Sequence, residues 1–243
     1  MLFNEEAQTN NAMKTLGIIG GLGPESTIDY YQTIIAVYRE RTGDGSYPQF
    51  LINSIDLNKV RDFVIANDLQ RLIKTIVEEI EKLARAGAGF GLIAANTPHL
   101  TFDQIAERSS IPLISIVEAT CGAAKVRKLK KLAFFGTKFT MTGEFYPKVF
   151  SREGIALVQP DHADQDYIHD KYMNELVPGK FLPETRAGLL AIVDRLKAKI
   201  DIDGVILAGT ELPLILREPE HHGVPLLNTT TIHCQAAVAE MLS

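Results

Sequence analysis

Tryptophan is absent from the 243 residues, and only two are cysteine, Cys121 and Cys234. Two distant thiols without repeat spacing make no disulfide framework, and they suit a reducing cytoplasm. No apolar run approaches the roughly 20 residues that a membrane-crossing helix needs. No long run of one charge sign occurs either. Lys and Arg number 25 against 30 Asp and Glu, a net charge of -5, and no basic face favours nucleic acid. No His, Cys, Asp or Glu grouping carries zinc spacing, and His221-His222, in a Pro/Gly loop, reads as solvent-exposed. The opening MLFNEEAQTNNAM is polar and acidic, unlike a secretory or transit signal. Fold-like sequence starts at Met13-Lys14, and residues 1–12 read as a disordered extension.

What is present is alternation. Short β-rich apolar runs take turns with helical patterns, the mark of α/β architecture. In the first half, strands are expected over residues 15–20, 50–54, 91–94 and 113–116, with helices over 25–41 and 69–86. Leu69, Leu72, Ile73, Ile76, Val77, Ile80 and Leu83 recur at three- and four-residue steps along the second helix. The second half begins again in the same style. Strands are expected over 132–136, 156–158 and 204–208, and helices over 142–150, 184–198 and 232–241.

The halves match each other. Lys14-Thr15-Leu16-Gly17-Ile18-Ile19-Gly20-Gly21 parallels Lys130-Lys131-Leu132-Ala133-Phe134-Phe135-Gly136-Thr137. Gly89 to Thr97 likewise parallels Asp203 to Glu211. Equivalent strand-ending loops recur at nearly equal spacing, 95 − 20 = 75 and 209 − 136 = 73 residues, which suggests internal duplication. Parallel sheets carry functional loops at the carboxyl ends of their strands. Two facing lobes would therefore enclose a ligand between four loops, at residues 20–26, 94–99, 136–142 and 208–212.

Each loop offers polar groups. In Gly20-Gly21-Leu22-Gly23-Pro24-Glu25-Ser26-Thr27, glycines let backbone N–H groups approach an anion; the alternative is a tight turn capped by Ser26 or Thr27. Asn96-Thr97-Pro98-His99 supplies donors suited to a small carboxylate, although Pro98 also fits a first helical position and His99 a packed one. Gly136-Thr137-Lys138-Phe139-Thr140-Met141-Thr142 presents three hydroxyls, of which Thr142 could instead cap the helix carrying Glu144. Glu211, after Thr210, is an acid placed to take an ammonium group. Cys121 and Cys234 lie on helices and read as packing residues.

With these loops in order, the chain resembles the aspartate/glutamate racemase family from about Met13 to the C-terminus, where Thr229-Thr230-Thr231-Ile232-His233 also matches. The resemblance implies two similar α/β lobes with mainly parallel sheets flanked by helices, related by a pseudo-two-fold duplication, with the ligand cleft between them. Residues 14–115 plus 225–243 form the first lobe and 116–224 the second. It further implies a cytoplasmic homodimer that acts on a small dicarboxylic amino acid without pyridoxal phosphate or metal. Substrate would be bound by Gly23, Asn96, Thr97, Thr137, Thr140, Thr210 and Glu211. A basic residue near the second strand would hold the side-chain carboxylate; Lys59 or Arg61 falls there, and Lys59 is the one expected.

The family's chemistry uses two cysteines, one on each face of Cα, as thiolate base and thiol acid. Here those positions hold Ala95 and Gly209. A methyl group and a hydrogen cannot carry a proton. Two readings follow: an isomerase using other groups, with Thr97, Thr210, Glu211, His99 and His233 as candidates, or a catalytically silent binder of amino acids or dicarboxylates. A decarboxylase or other carbanion-forming enzyme would need a proton donor too.

Overall fold

A computed structural model describes residues 13–243; the extension expected over residues 1–12 lies outside them. The first half runs β1 (Leu16–Gly20), α1 (Pro24–Thr42), β2 (Phe50–Ser54), α2 (Leu57–Ile65), α3 (Leu69–Arg85), β3 (Phe90–Ile93), a 3-10 turn (Thr97–Thr101), α4 (Phe102–Arg108) and β4 (Leu113–Ile114). Then come α5 (Ile116–Val126), β5 (Lys131–Gly136), α6 (Lys138–Thr142), α7 (Phe145–Arg152), β6 (Ala156–Val158) and α8 (His162–Lys171), which runs on into a π turn (Tyr172–Leu176). The chain closes with α9 (Pro183–Ile200), β7 (Gly204–Ala208), α10 (Leu212–Ile215), β8 (Glu220–His221), β9 (Val224–Asn228) and α11 (Thr229–Met241).

The duplication is written into the topology. One sheet has the order β2-β1-β3-β4 and the other β6-β5-β7-β9-β8. Equivalent strands occupy equivalent places, all parallel except the added β8. Parallel strands covered on both faces must be apolar throughout, and every residue of β1, β3 and β7 is buried.

Alternate residues of β1 serve opposite layers, as a pleated strand requires. Ile19 packs with Ile73, Ile76 and Ile80 of α3, whereas Leu16 and Ile18 pack with Tyr30 and Ile34 of α1 and Val238 of α11. The C-terminal helix thus completes the first lobe. In the second lobe Phe134, Phe135, Val205 and Ile206 form a continuous core with Leu189 and Val193 of α9.

Two expected boundaries need correction. The returning segment was placed at residues 225–243, but Val224–Asn228 pairs with β7 as β9, so only α11 rejoins the first lobe. The helix expected over 142–150 comes in two pieces, α6 and α7. Gly143 separates them because a side chain there would press on the Phe139 carbonyl at 2.7 Å and the Phe145 ring at 2.9 Å. Thr142 therefore caps nothing ahead of it; it ends α6, its hydroxyl donating to the Lys138 carbonyl at 2.8 Å. No helix among the described residues is long and apolar enough to cross a membrane.

Candidate active site

Between the lobes, at the carboxyl ends of the central strands, lies a cavity of about 230 Å³. That is below the range of pockets for drug-sized ligands and suits a molecule of few heavy atoms. All four expected loops reach it, the first through Leu22. Ala95, Asn96 and Thr97 follow β3, Thr137 follows β5, and Thr210 follows β7. A larger depression of about 400 Å³ opens between α4 and α7. Four of its charges pair with each other, Lys148 with Asp103 and Arg152 with Glu118, and of the sequence-chosen candidates only His99 borders it.

The polar groups of the cavity form two clusters. On the Ala95 side, the Thr97 hydroxyl lies 3.1 Å from that of Thr137 and 3.4 Å from that of Thr140. Thr137 also caps α6 by accepting from the Thr140 amide. Thr140 stands behind this pair, fully buried and outside the cavity wall. Asn96 is buried; its Oδ1 accepts from the Tyr146 hydroxyl at 2.6 Å, and its Nδ2 has no partner. A buried amide donor left open at a cavity wall costs free energy until something accepts from it.

The second cluster was not foreseen. Tyr172, at the start of the π turn, lines the cavity where Gly209 was expected to. A Cβ on Gly209 would collide with the ring at Cε2 and lie 2.9 Å from Cζ and 3.0 Å from the hydroxyl oxygen. The phenol thus occupies the space that a cysteine side chain at position 209 would need. Its hydroxyl donates to Glu211 Oε2, which also accepts from the Thr210 hydroxyl at 3.2 Å. Burial pushes the Glu211 carboxyl upward, opposed by the hydroxyls of Tyr172, Ser26 and Thr210 around it. Burial, with Glu211 alongside, raises the Tyr172 phenol as well.

Glu211 corrects the reading of the glycine loop. Gly23 was expected to bind substrate, yet it does not line the cavity. Its φ is 137°, and the face where a Cβ would stand is taken by Glu211 Oε1. The space before α1 is filled by the protein's own Glu211, reaching across from the other lobe with its Oε1 left without a hydrogen-bond partner. Gly23→Ala should cost about 1–3 kcal/mol, from a left-handed backbone and a collision with a buried group. Gly43→Ala is the control, since its φ is 64° but open space surrounds it. Urea midpoints should fall clearly further for Gly23→Ala, and relief by Glu211→Ala would identify the collision.

Lys59 is the second correction. It is exposed and borders no part of the cavity. Asp56 caps α2 by accepting from the Asn58 amide, which fixes the helix phase. Leu57, Val60, Arg61, Val64 and Ile65 then share one face at helical spacing and wall the cavity. Arg61 is the basic residue that this face brings in.

His99 and His233 hold structure together. His99 Nδ1 lies 2.9 Å from the Ala95 carbonyl, and Nε2 accepts from the Ile116 amide. His233 Nε2 lies 2.9 Å from the Ile114 carbonyl and Nδ1 2.8 Å from the Tyr30 hydroxyl. Both rings are neutral and both nitrogens of each are engaged, so neither can move a proton at the cavity. Burial, aided by neighbouring His233, lowers His99 to about 3, and burial lowers His233 to about 4. Cys121 and Cys234 sit in separate cores, and burial pushes Cys121 up to about 11. His221 and His222, read as solvent-exposed, differ: His222 is exposed and His221 half-buried, and a nitrogen of each lies 3.0 Å from Asp194 Oδ1. None of the three lines the cavity.

Two repeated α/β halves, closing on a cavity with open amide and hydroxyl groups, define a two-lobed protein built to hold a small polar molecule. The family described as Asp/Glu/Hydantoin racemase matches residues 19–237, and the chain belongs to it. It is 25% identical to a Bacillus subtilis broad specificity amino-acid racemase over 94% of this chain and 98% of that one. Among solved structures, a putative Asp/Glu racemase from Yersinia pestis superposes with a TM-score of 0.85 at 28% identity, covering 95% of this chain and 100% of the other. An aspartate racemase homologue from Pyrococcus horikoshii gives 0.80 at 31%, with the same coverage.

Proposed function

We propose that the cavity binds a small dicarboxylic amino acid, aspartate, glutamate or a close relative, as an isomerase-type site that works without pyridoxal phosphate and without thiols. The observation carrying this reading is the unpartnered Asn96 amide beside the Thr97–Thr137 hydroxyl pair, in a cavity that Arg61 of α2 also lines. One carboxylate would take the amide and hydroxyl donors, and the other would take Arg61, whose planar fork suits a carboxylate. The apolar part of the lining, Val60, Val64 and Met173 among others, would take the methylenes.

The rival reading, a catalytically silent binder, is favoured by Ala95 and Gly209, since exchange between two thiols is closed to this chain. Calorimetric titration with L- and D-aspartate, glutamate and leucine, run beside a chiral assay of each amino acid, separates the possibilities. Aspartate or glutamate should bind, and Arg61→Ala should weaken that binding about tenfold while Lys59→Ala leaves it unchanged. Preference for leucine, with Arg61→Ala inert, would sink the dicarboxylate assignment. The same reading has a cytoplasmic homodimer as the working unit, which sedimentation of the purified chain would check.

A further inference from the structure

The cavity is unequal on its two sides, and the inequality has a chemical meaning. Past Ala95 there are its methyl group and the Thr97 and Thr137 hydroxyls, bonded to each other, while the His169 ring, which also lines the cavity, accepts from the Lys138 amide. Past Gly209 there is a phenol whose oxygen stands 3.0 Å from where a cysteine Cβ would be, with a buried carboxylate directly behind it. Tyr172 faces the cavity and Glu211 does not. Such an arrangement puts a proton-carrying atom within the reach of the missing thiol and a proton acceptor beyond it.

We propose that Tyr172, relayed to Glu211, exchanges the Cα proton of the bound amino acid from one face only, with retention of configuration. This rests on the amino-acid-binding reading above. In the forward step the Cα–H bond breaks and its electron pair stays on Cα, delocalised into the ligand carboxylate. The proton passes to Tyr172 Oη as the phenol's own proton passes to Glu211 Oε2. Charge balances, because Glu211 begins as carboxylate and ends neutral while the ligand gains one negative charge. Asn96 Nδ2 and the Thr97 and Thr137 hydroxyls would donate to the carboxylate as that charge develops. The return step delivers a proton to the same face. On the other face the Ala95 methyl holds no proton and the Thr97 and Thr137 hydroxyls bond to each other rather than to a carboxylate, so exchange outruns racemisation.

Tyr172 is the catalytic residue in this scheme, and Glu211 is a positioning and relay residue. The carboxylate must also be ionised for the forward step, although burial raises it. Exchange therefore rises with pH through the Glu211 transition.

The test uses the intact chain in D2O with L- and D-aspartate and glutamate, following both the Cα–H signal and the enantiomer ratio. Expected is deuterium incorporation into one enantiomer without inversion. Tyr172→Phe, which keeps the ring over Gly209, should lower exchange at least about a hundredfold, the scale of general acid–base catalysis, while the dissociation constant is unchanged. Glu211→Gln should lower it as well and abolish its rise with pH, a readout that a purely structural role would not move. Undiminished exchange in Tyr172→Phe overturns the proposal, as does exchange accompanied by equal inversion. Binding without any exchange overturns it while the binding reading stands. Absence of binding by all four amino acids removes the binding reading and this one with it.

Discussion

Restoring cysteine at both strand ends, Ala95→Cys with Gly209→Cys, should give a destabilised protein with no measurable racemase activity. Adding Tyr172→Ala to that pair should recover much of the stability and let racemisation of aspartate or glutamate begin. The reason is steric. Ala95 lines the cavity, so a thiol there points into it. A side chain on Gly209 collides with a tyrosine ring that is buried and tied to Glu211. Overpacking of this kind costs about 1–3 kcal/mol, and a thiol forced aside would not face Cα. Removing the ring opens that volume, and two positioned thiols would then each supply acid–base help on the order of a hundredfold or more. Urea unfolding and a chiral assay of the double and triple variants decide the matter. Racemisation by the double variant at the rate of the triple would mean that Tyr172 does not block the second thiol position.

The repeat and the four loops were legible because their signals are local. A strand buried on both faces must be written in apolar residues, as Leu16–Gly20 and Gly204–Ala208 are, and a strand-to-helix turn must be polar and small. What escaped depends on distant partners. Nothing near Gly23 says that its empty face will receive a carboxylate from the other lobe. The stretch holding α8 is crowded with His, Asp and Lys, and its one apolar stripe, Ile168, Tyr172 and Leu176, is sparse for a helix of a core. That stripe, at four-residue steps, was the available sign that Tyr172 turns inward. Gly209 was the other, since a glycine at the end of a packed strand leaves room that some large side chain must fill. Pro225 hid β9, because proline usually marks the margin of a sheet. Lys59 was preferred over Arg61 for want of a helix phase, which only α2 supplies.

Acid should unfold this protein well above the usual carboxylate range, and His99 and His233 should be the cause. Each is neutral in the folded state, with a pKa of about 3 for His99 and about 4 for His233 against the usual 6.5. Unfolding lets both take up protons that the fold refuses. Their contribution is therefore complete above about pH 6.5 and is lost as pH falls from there toward the folded values, at about 1.4 kcal/mol per pH unit for each ring. Glu211 acts in the opposite direction. Its carboxyl is raised above the usual 4.5, so the folded state keeps a proton that the unfolded chain releases, and its contribution is lost as pH rises. Above about pH 4.5 this carboxyl opposes the two rings, and two rings outweigh one carboxyl. The net slope should lie between about one and two protons, so that two pH units remove at least roughly 3 kcal/mol, a large part of a domain's stability. His233→Gln should flatten the dependence of unfolding free energy on pH by about one proton, and Glu211→Gln should steepen it. Parallel curves for the unmodified chain and His233→Gln, measured by urea unfolding from pH 7.5 to 5, would place the acid sensitivity elsewhere and leave the two rings without this role.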